Sequence, residues 1–291
     1  MKIAVGASSF SQPEAMALLE GHEVVFNPFG RKLTEEEAIE HLRGADGLLA
    51  GLEPLNEAVF KACPALKAIA RIGIGMDNVD LESAKNYGIK VSNTPNGPTY
   101  AVAEMTLSAL LGIARQLIPA NADVHNGAWK KRMGFSLRGC TILFVGYGRI
   151  AMALERLLEP FGMNILKYDP ALVDTRPLAE LLPAADVISL HASGKATIIG
   201  REELSIVKEG AVLLNSARGG LVDENAVYDS LTGGKLSWYW ADTFSEEPYS
   251  GKLTTLENAL LTPHIATYTA LCRREMEVQA VKNLLEDLSN A

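Results

Sequence analysis

Continuous apolar runs alternate with amphipathic segments along most of the chain. KIAV at 2–5, EVVF at 23–26, GLLAG at 47–51, LKAIARIG at 66–73 and IKVSN at 89–93 are strand-like, and helical spacing falls around 12–20, 34–42 and 56–62 and from Leu81 onward. Strands apolar on both faces and separated by helices predict a parallel sheet covered on both sides. NTPNGPTY at 93–100 breaks the pattern, and AVAEMTLSALLGIARQLI at 101–118 then predicts one long apolar helix. A second series follows: TILFV at 141–145, NILKYD at 164–169, DVISLH at 186–191, AVLLNSA at 211–217 and LSWYWAD at 236–242. Residues 266–288 read as one helix, with Leu271, Val278, Val281, Leu285 and Leu288 at helical spacing. No strand follows that helix, so it is expected to cross back onto the first series; docking on the second series alone is the alternative. The reading is α/β with two doubly wound parallel-sheet domains. One is discontinuous, 1–96 with 268–291, and the other, 97–267, is inserted into it.

Composition narrows the class. Hydrophobic residues make up 48% and charged residues 21% of 291 positions, the balance of a globular protein large enough for two cores. A net charge of −8 without any long basic run argues against a nucleic-acid partner. Cys63, Cys140 and Cys272 are widely spaced in apolar surroundings, which predicts free thiols, a reducing compartment and no metal site. MKIAVGASSF reads as a first strand and not a signal peptide, and no apolar stretch approaches the roughly 18 residues of a membrane span. A cytoplasmic protein without a membrane partner is expected.

Candidate chemistry begins at TILFVGYGRIA, 141–151, a strand, a tight turn and a helix start. Gly146 permits the turn, and Gly148 lets the backbone approach a pyrophosphate. Arg149 and Ile150 supply N–H groups at the helix N-terminus, which favours anions. Ala151 replaces the third glycine of the motif. Asp169 ends the next strand, where a carboxylate accepts the ribose hydroxyls of NAD and repels the extra phosphate of NADP. Alone, Asp169 also reads as a turn residue before proline.

Three further polar residues each follow an apolar run: Arg218 after AVLLNSA, Glu247 after the run ending at Asp242, and His264 at the close of ALLTPH. A guanidinium binds and polarises an oxygen, an imidazole transfers a proton, and a carboxylate supports the imidazole. Singly they also read as a turn charge, a solvated loop acid and a helix cap. Together they fall at the carboxyl ends of strands, where open α/β sheets place ligands.

NSARGGLVDE at 215–224, ADTFSEEP at 241–248, LTPHIAT at 261–267 and VGYGRIA resemble, in order and spacing, the D-isomer-specific 2-hydroxyacid dehydrogenases. ARIGIGMDNVDLESAKNYGIKVSNTPN at 70–96 and AVAEMTLSALLGIAR at 101–115 look like that family's other signatures. The resemblance implies a Rossmann NAD-binding domain inserted into a flavodoxin-like substrate domain, with NAD as cofactor and a small 2-hydroxy or 2-keto acid as substrate. It implies Arg218 as the substrate-binding residue, His264 as general acid and base, and Glu247, which directly precedes the proline, as its support in preference to Glu246. It further implies Ser216, Ala217 and Asp242 near the cofactor, and Arg71, Ile74, Gly75 and Asn96 at the substrate. The 101–118 helix and GAWKKRMG at 127–134 resemble a dimer-forming region, so a homodimer is expected, with burial inside one chain as the alternative.

The departures bear on substrate. HASGK at 191–195 replaces a segment resembling H-x-P-L-T, and the loop after it is shorter. Trp238, Tyr239 and Trp240 stand where small residues are usual, and need room on both strand faces or at an interface. NTPNG at 93–97 leans toward the phosphoglycerate dehydrogenase branch, yet LLAGLEP at 48–54 lacks the arginine expected there for a phosphate. Hydroxypyruvate or glyoxylate reduction stays open, as does a dinucleotide-regulated, corepressor-like binding protein.

Overall fold

A computed structural model describes residues 1–290 of the chain. It divides into two compact units, Met1–Pro98 together with the segment from Thr267 onward, and Thr99–Ala266. In the first unit, β1 (Lys2–Val5), β2 (Glu23–Phe26), β3 (Gly47–Ala50), β4 (Ala68–Arg71) and β5 (Lys90–Asn93) form a parallel sheet in the order β2-β1-β3-β4-β5. The chain leaves β1 for β2 on one side and returns to β3 on the other, so the topological switch point lies between β1 and β3.

The final helix, Ala270–Ser289, packs on β3, β4 and β5, with Leu284 and Leu288 against the bare face of Gly47. Its buried apolar stripe is Cys272, Met276, Ala280, Val281, Leu284 and Leu288, with Glu277 buried beside it. That corrects the expected stripe: Leu271 is exposed, one residue off the face of Cys272, Met276 and Ala280, and the helix begins at Ala270, where Thr269 caps it by accepting the Cys272 N–H.

In the second unit, β6 (Thr141–Val145), β7 (Asn164–Tyr168), β8 (Val187–Leu190), β9 (Ala211–Asn215), β10 (Leu236–Ala241) and β11 (Ala259–Leu261) form a six-stranded parallel sheet. The order is β11-β10-β9-β8-β6-β7, with β7 as an edge and the switch point between β6 and β8. Its strands β8 and β9 are buried along their whole length, as a sheet covered on both faces requires. Tyr239 packs on one side of β10, among Leu213, Leu236 and Leu253, and Trp238 and Trp240 pack on the other, among Phe144, Val212 and Leu214. The bulk of these three aromatics is therefore taken up by the unit's own core.

The single helix expected over 101–118 is two helices, Pro98–Ala114 and Leu117–His125, bent by 62°. Pro119 explains the break: its ring cannot follow a helical carbonyl at position 115, and Gln116 turns the chain at φ 53°. No single helix among the described residues is long and apolar enough to cross a membrane.

Candidate active site

The carboxyl edge of the six-stranded sheet carries the polar residues. At the end of β6, Gly146 adopts φ 87°, and a Cβ there would lie 2.5 Å from the Ala192 nitrogen, so only glycine lets the turn pass the 191–192 backbone. Gly148 caps the helix Arg149–Leu158, and a Cβ on it would meet nothing within 4 Å. No neighbouring atom therefore crowds the helix start at Gly148, as the approach of a pyrophosphate to a helix N-terminus requires. Tyr147, between the two glycines, is anchored by Lys167, whose Nζ lies 2.7 Å from its hydroxyl and 2.9 Å from Glu155; the hydroxyl also contacts Glu155. Asp169 follows β7, and its Oδ2 accepts the Tyr147 N–H at 2.8 Å while Oδ1 accepts that of Ala171 at 2.9 Å. Acid and glycine turn are thus one assembly, and its residues fit an adenosine ribose beside a pyrophosphate.

After β9, buried Asn215 shapes the turn that holds Arg218, accepting the Ala217 N–H at 3.1 Å and donating to the Arg218 carbonyl at 3.0 Å. Arg218 itself is half-buried, and its Nη1 donates to the Ala217 carbonyl at 2.7 Å. Ser216 receives a hydrogen bond from buried Thr106 at 3.2 Å. Gly219 allows the next loop to close in, for a Cβ there would sit 1.8 Å from the Phe244 carbonyl carbon.

That loop presents Glu247. Its Oε1 accepts the Phe244 N–H at 3.1 Å, and its Oε2 lies 3.0 Å from Nδ1 of His264. The pair is partly exposed, which leaves the other imidazole nitrogen, Nε2, for proton exchange with a ligand. His264 adopts φ 53°, a left-handed conformation that non-glycine residues hold only when their surroundings impose it. The restraint is the buried carboxylate of Asp242: Oδ1 accepts from the Thr262 hydroxyl at 2.7 Å and the Ile265 N–H at 2.9 Å, and Oδ2 accepts the Ala266 N–H at 2.8 Å. Trp240 extends the clamp by donating its indole N–H to Thr262 Oγ1 at 3.1 Å. Thr262 and Tyr147 carry no signal in the sequence; Trp240 reads there only as bulk on its strand, and Gly219 only as the first of the two glycines after Arg218.

The remaining candidates lie in the first unit. Arg71 ends β4 and folds over the following turn, its Nη1 donating to the Ile72 carbonyl at 2.7 Å and filling the space where a Gly73 Cβ would stand. Buried Thr94 accepts the Gly73 N–H at 2.7 Å, and Asn93 donates to the Ile74 carbonyl at 2.8 Å, fixing the turn that exposes part of Ile74 and Gly75. Asn96 is exposed. Among the described residues, no group of three or more His, Cys, Asp or Glu side chains could hold a metal ion.

Residues 107–266 match the family model for the D-isomer specific 2-hydroxyacid dehydrogenase, NAD binding domain. The chain is 38% identical to a D-3-phosphoglycerate dehydrogenase of Methanocaldococcus jannaschii over 80% of its own length, and the match spans only 48% of that relative. It is 36% identical to a glyoxylate reductase of Thermococcus litoralis, over 85% of this chain and 82% of that one. A crystal structure of a Thermus thermophilus protein superposes with a TM-score of 0.91 at 35% identity, covering 100% of this chain and 97% of the other.

Proposed function

The chain belongs to the D-isomer-specific 2-hydroxyacid dehydrogenase family, an NAD-dependent oxidoreductase family, and we propose that it reduces a small 2-keto acid to the D-2-hydroxy acid, reversibly. The observation that carries this reading is the 3.0 Å contact between His264 Nδ1 and Glu247 Oε2, on the same sheet edge as the Gly146–Gly148 turn. NADH, when bound, supplies the hydride delivered to C2 of the keto acid. Gly146, Gly148 and the N–H groups of Arg149 and Ile150 would hold its pyrophosphate, Asp169 its ribose, and Ser216 and Ala217 would approach it through the backbone. Arg218 would bind the substrate carboxylate and polarise the keto oxygen. His264 would give a proton from Nε2 to that oxygen as C2 receives the hydride, so keto acid, NADH and one proton become hydroxy acid and NAD. Glu247 would hold Nδ1–H and stabilise the imidazolium in the reverse direction. Asp242 would act through the turn it clamps, keeping His264 in place. Arg71, the Ile74–Gly75 backbone and Asn96 would add substrate contacts.

The test is NADH oxidation, followed at the nicotinamide absorbance, with glyoxylate, hydroxypyruvate, pyruvate and 3-phosphohydroxypyruvate. Turnover with at least one supports the reading; saturable NADH binding without oxidation by any would favour the corepressor-like alternative. Three further assignments belong to this proposal. A homodimer is supported by the exposed apolar side chains Leu117, Val124, Trp129 and Met133, the last two almost fully exposed. Light scattering at only the 31.3 kDa monomer mass would refute it. NAD over NADP is supported by Asp169. A cytoplasmic location is supported by the three free cysteines.

A further inference from the structure

The turn from Gly146 to Gly148 carries a single side chain, and that side chain is held by charge. Glycines have the widest backbone freedom and lose the most of it when a turn is ordered. Tyr147, between the two, is therefore the only handle by which other side chains can fix the turn.

The handle is gripped from two sides. The Tyr147 hydroxyl donates to Glu155 and accepts from Lys167 Nζ at 2.7 Å, and the same Nζ lies 2.9 Å from the other Glu155 oxygen, which closes a ring of three side chains. Lys167 Nζ also stands 4.1 Å from the centre of the Tyr147 ring, and the fully buried Phe144 ring lies 6.1 Å from it, centre to centre. Each member comes from a different part of the candidate cofactor site. Tyr147 belongs to the turn, Glu155 to the helix Arg149–Leu158 that starts at the pyrophosphate position, and Lys167 to β7, two residues before Asp169. Asp169 completes the assembly from the backbone side, accepting the Tyr147 N–H at 2.8 Å. Lys167 and Glu155 are both partly exposed, and an ion pair in that setting adds little stability by itself. Its effect is on where the turn stands.

We propose that Lys167 and Glu155 are positioning residues for the cofactor: acting through Tyr147, they hold the glycine turn in place before a dinucleotide arrives and so raise the affinity for its adenosine and pyrophosphate half. The inference rests on the reading of Gly146, Gly148 and Asp169 as the cofactor site. Its physical basis is preorganisation. A turn already ordered in the fold need not be ordered by the ligand, and that entropic cost no longer subtracts from binding.

The test is fluorescence titration of the full chain with NADH, followed by displacement with ADP, which carries only the adenosine and the pyrophosphate. Lys167→Met removes the charge and keeps an unbranched stem, and Tyr147→Phe keeps the ring and removes the hydroxyl. In each variant the NADH and ADP dissociation constants should rise together by about three- to tenfold, while kcat at saturating NADH and the KM for the keto acid stay at their wild-type values. The double variant should lose little more than the weaker-binding single one, because one network is broken either way. Additive losses, or unchanged NADH and ADP constants in a folded variant, overturn the proposal alone. A lowered melting temperature with unchanged constants, or failure of both single variants to fold by circular dichroism, assigns the three side chains to the fold and overturns it too. A wild type that binds no NADH, or from which ADP displaces none, refutes the reading of the turn as the cofactor site, and this inference falls with it.

Discussion

The Asp242 carboxylate receives the Ala266 N–H at 2.8 Å, two residues beyond the histidine that holds φ 53°. With the Ile265 N–H on its other oxygen, it ties the left-handed turn to the end of β10. Asp242→Asn sets an amide NH2 against one of those N–H groups. A buried donor without an acceptor costs about 1–3 kcal/mol. Both the melting temperature and kcat should fall, the latter because His264 is released from the geometry that places it beside Glu247. A variant with a lowered melting temperature but wild-type kcat would show that the clamp serves the fold alone.

His264 and Glu247 are expected to separate chemistry from cofactor binding. His264→Gln removes the proton donor and should lower kcat by about 10²–10⁴-fold. Glu247→Gln keeps a hydrogen bond to Nδ1 but loses the charge that stabilises the imidazolium, so its loss should be smaller. NADH titration by fluorescence should give wild-type affinity in both, since neither residue belongs to the glycine turn. Weakened NADH binding with intact kcat would reassign the pair.

Gly219→Ala tests the close approach of two loops. The new Cβ would stand 1.8 Å from the Phe244 carbonyl carbon, so the loop carrying Glu247 must move away from the turn carrying Arg218. Overpacking of this kind costs about 1–3 kcal/mol. A drop in kcat/KM for the keto acid exceeding that of the neighbouring Gly220→Ala is expected, because a Cβ at Gly220 meets only the Lys195 carbonyl at 3.6 Å. Equal effects at the two glycines would contradict the geometry.

Asp169→Ala should reduce the preference for NADH over NADPH. The carboxylate sits 2.8 Å from the Tyr147 N–H, so its loss removes a ribose acceptor and loosens the turn as well. Hydrogen bonds to charged groups contribute about 1.5–3 kcal/mol each, which implies a fall of tenfold or more in the ratio of kcat/KM values. An unchanged ratio would leave Asp169 as a turn residue.

Both sheets were legible in the chain because buried parallel strands are apolar throughout: KIAV, EVVF and TILFV form strands with the bounds read from the sequence. Helices were less legible. Pro119 breaks a largely apolar stretch through its clash with the carbonyl four residues earlier, and the last helix buries the face of Cys272, Met276 and Ala280, one residue off from Leu271. The proximity of Glu247 and His264 came from motif resemblance, since residues 17 apart in sequence show no pairing in periodicity. Asp242 reads as a cofactor contact in sequence, and the three bonds that occupy its carboxylate are tertiary facts. Glu53 drew no notice, because a single acid in a loop looks solvated until Gly6 and Gly51 are found packed around it.

His191, at the end of β8, should make stability depend on pH. Burial holds its imidazole at a pKa of about 3, below the 6.5 of an ordinary histidine, and its Nε2 lies 2.8 Å from the fully buried Ser189 hydroxyl. The folded state keeps the ring neutral while the unfolded chain takes up a proton below 6.5, so its contribution is complete above that pH and is lost as pH falls toward 3. The loss approaches about 1.4 kcal/mol per pH unit, a ceiling because part of the residue meets solvent. His191→Asn cannot titrate, so urea unfolding at pH 7, 6 and 5 should show the wild-type advantage shrinking stepwise. A constant difference across that range would mean that the imidazole is protonated in the fold as readily as outside it, and that His191 is not the neutral support under the glycine turn that its packing against Phe144 indicates.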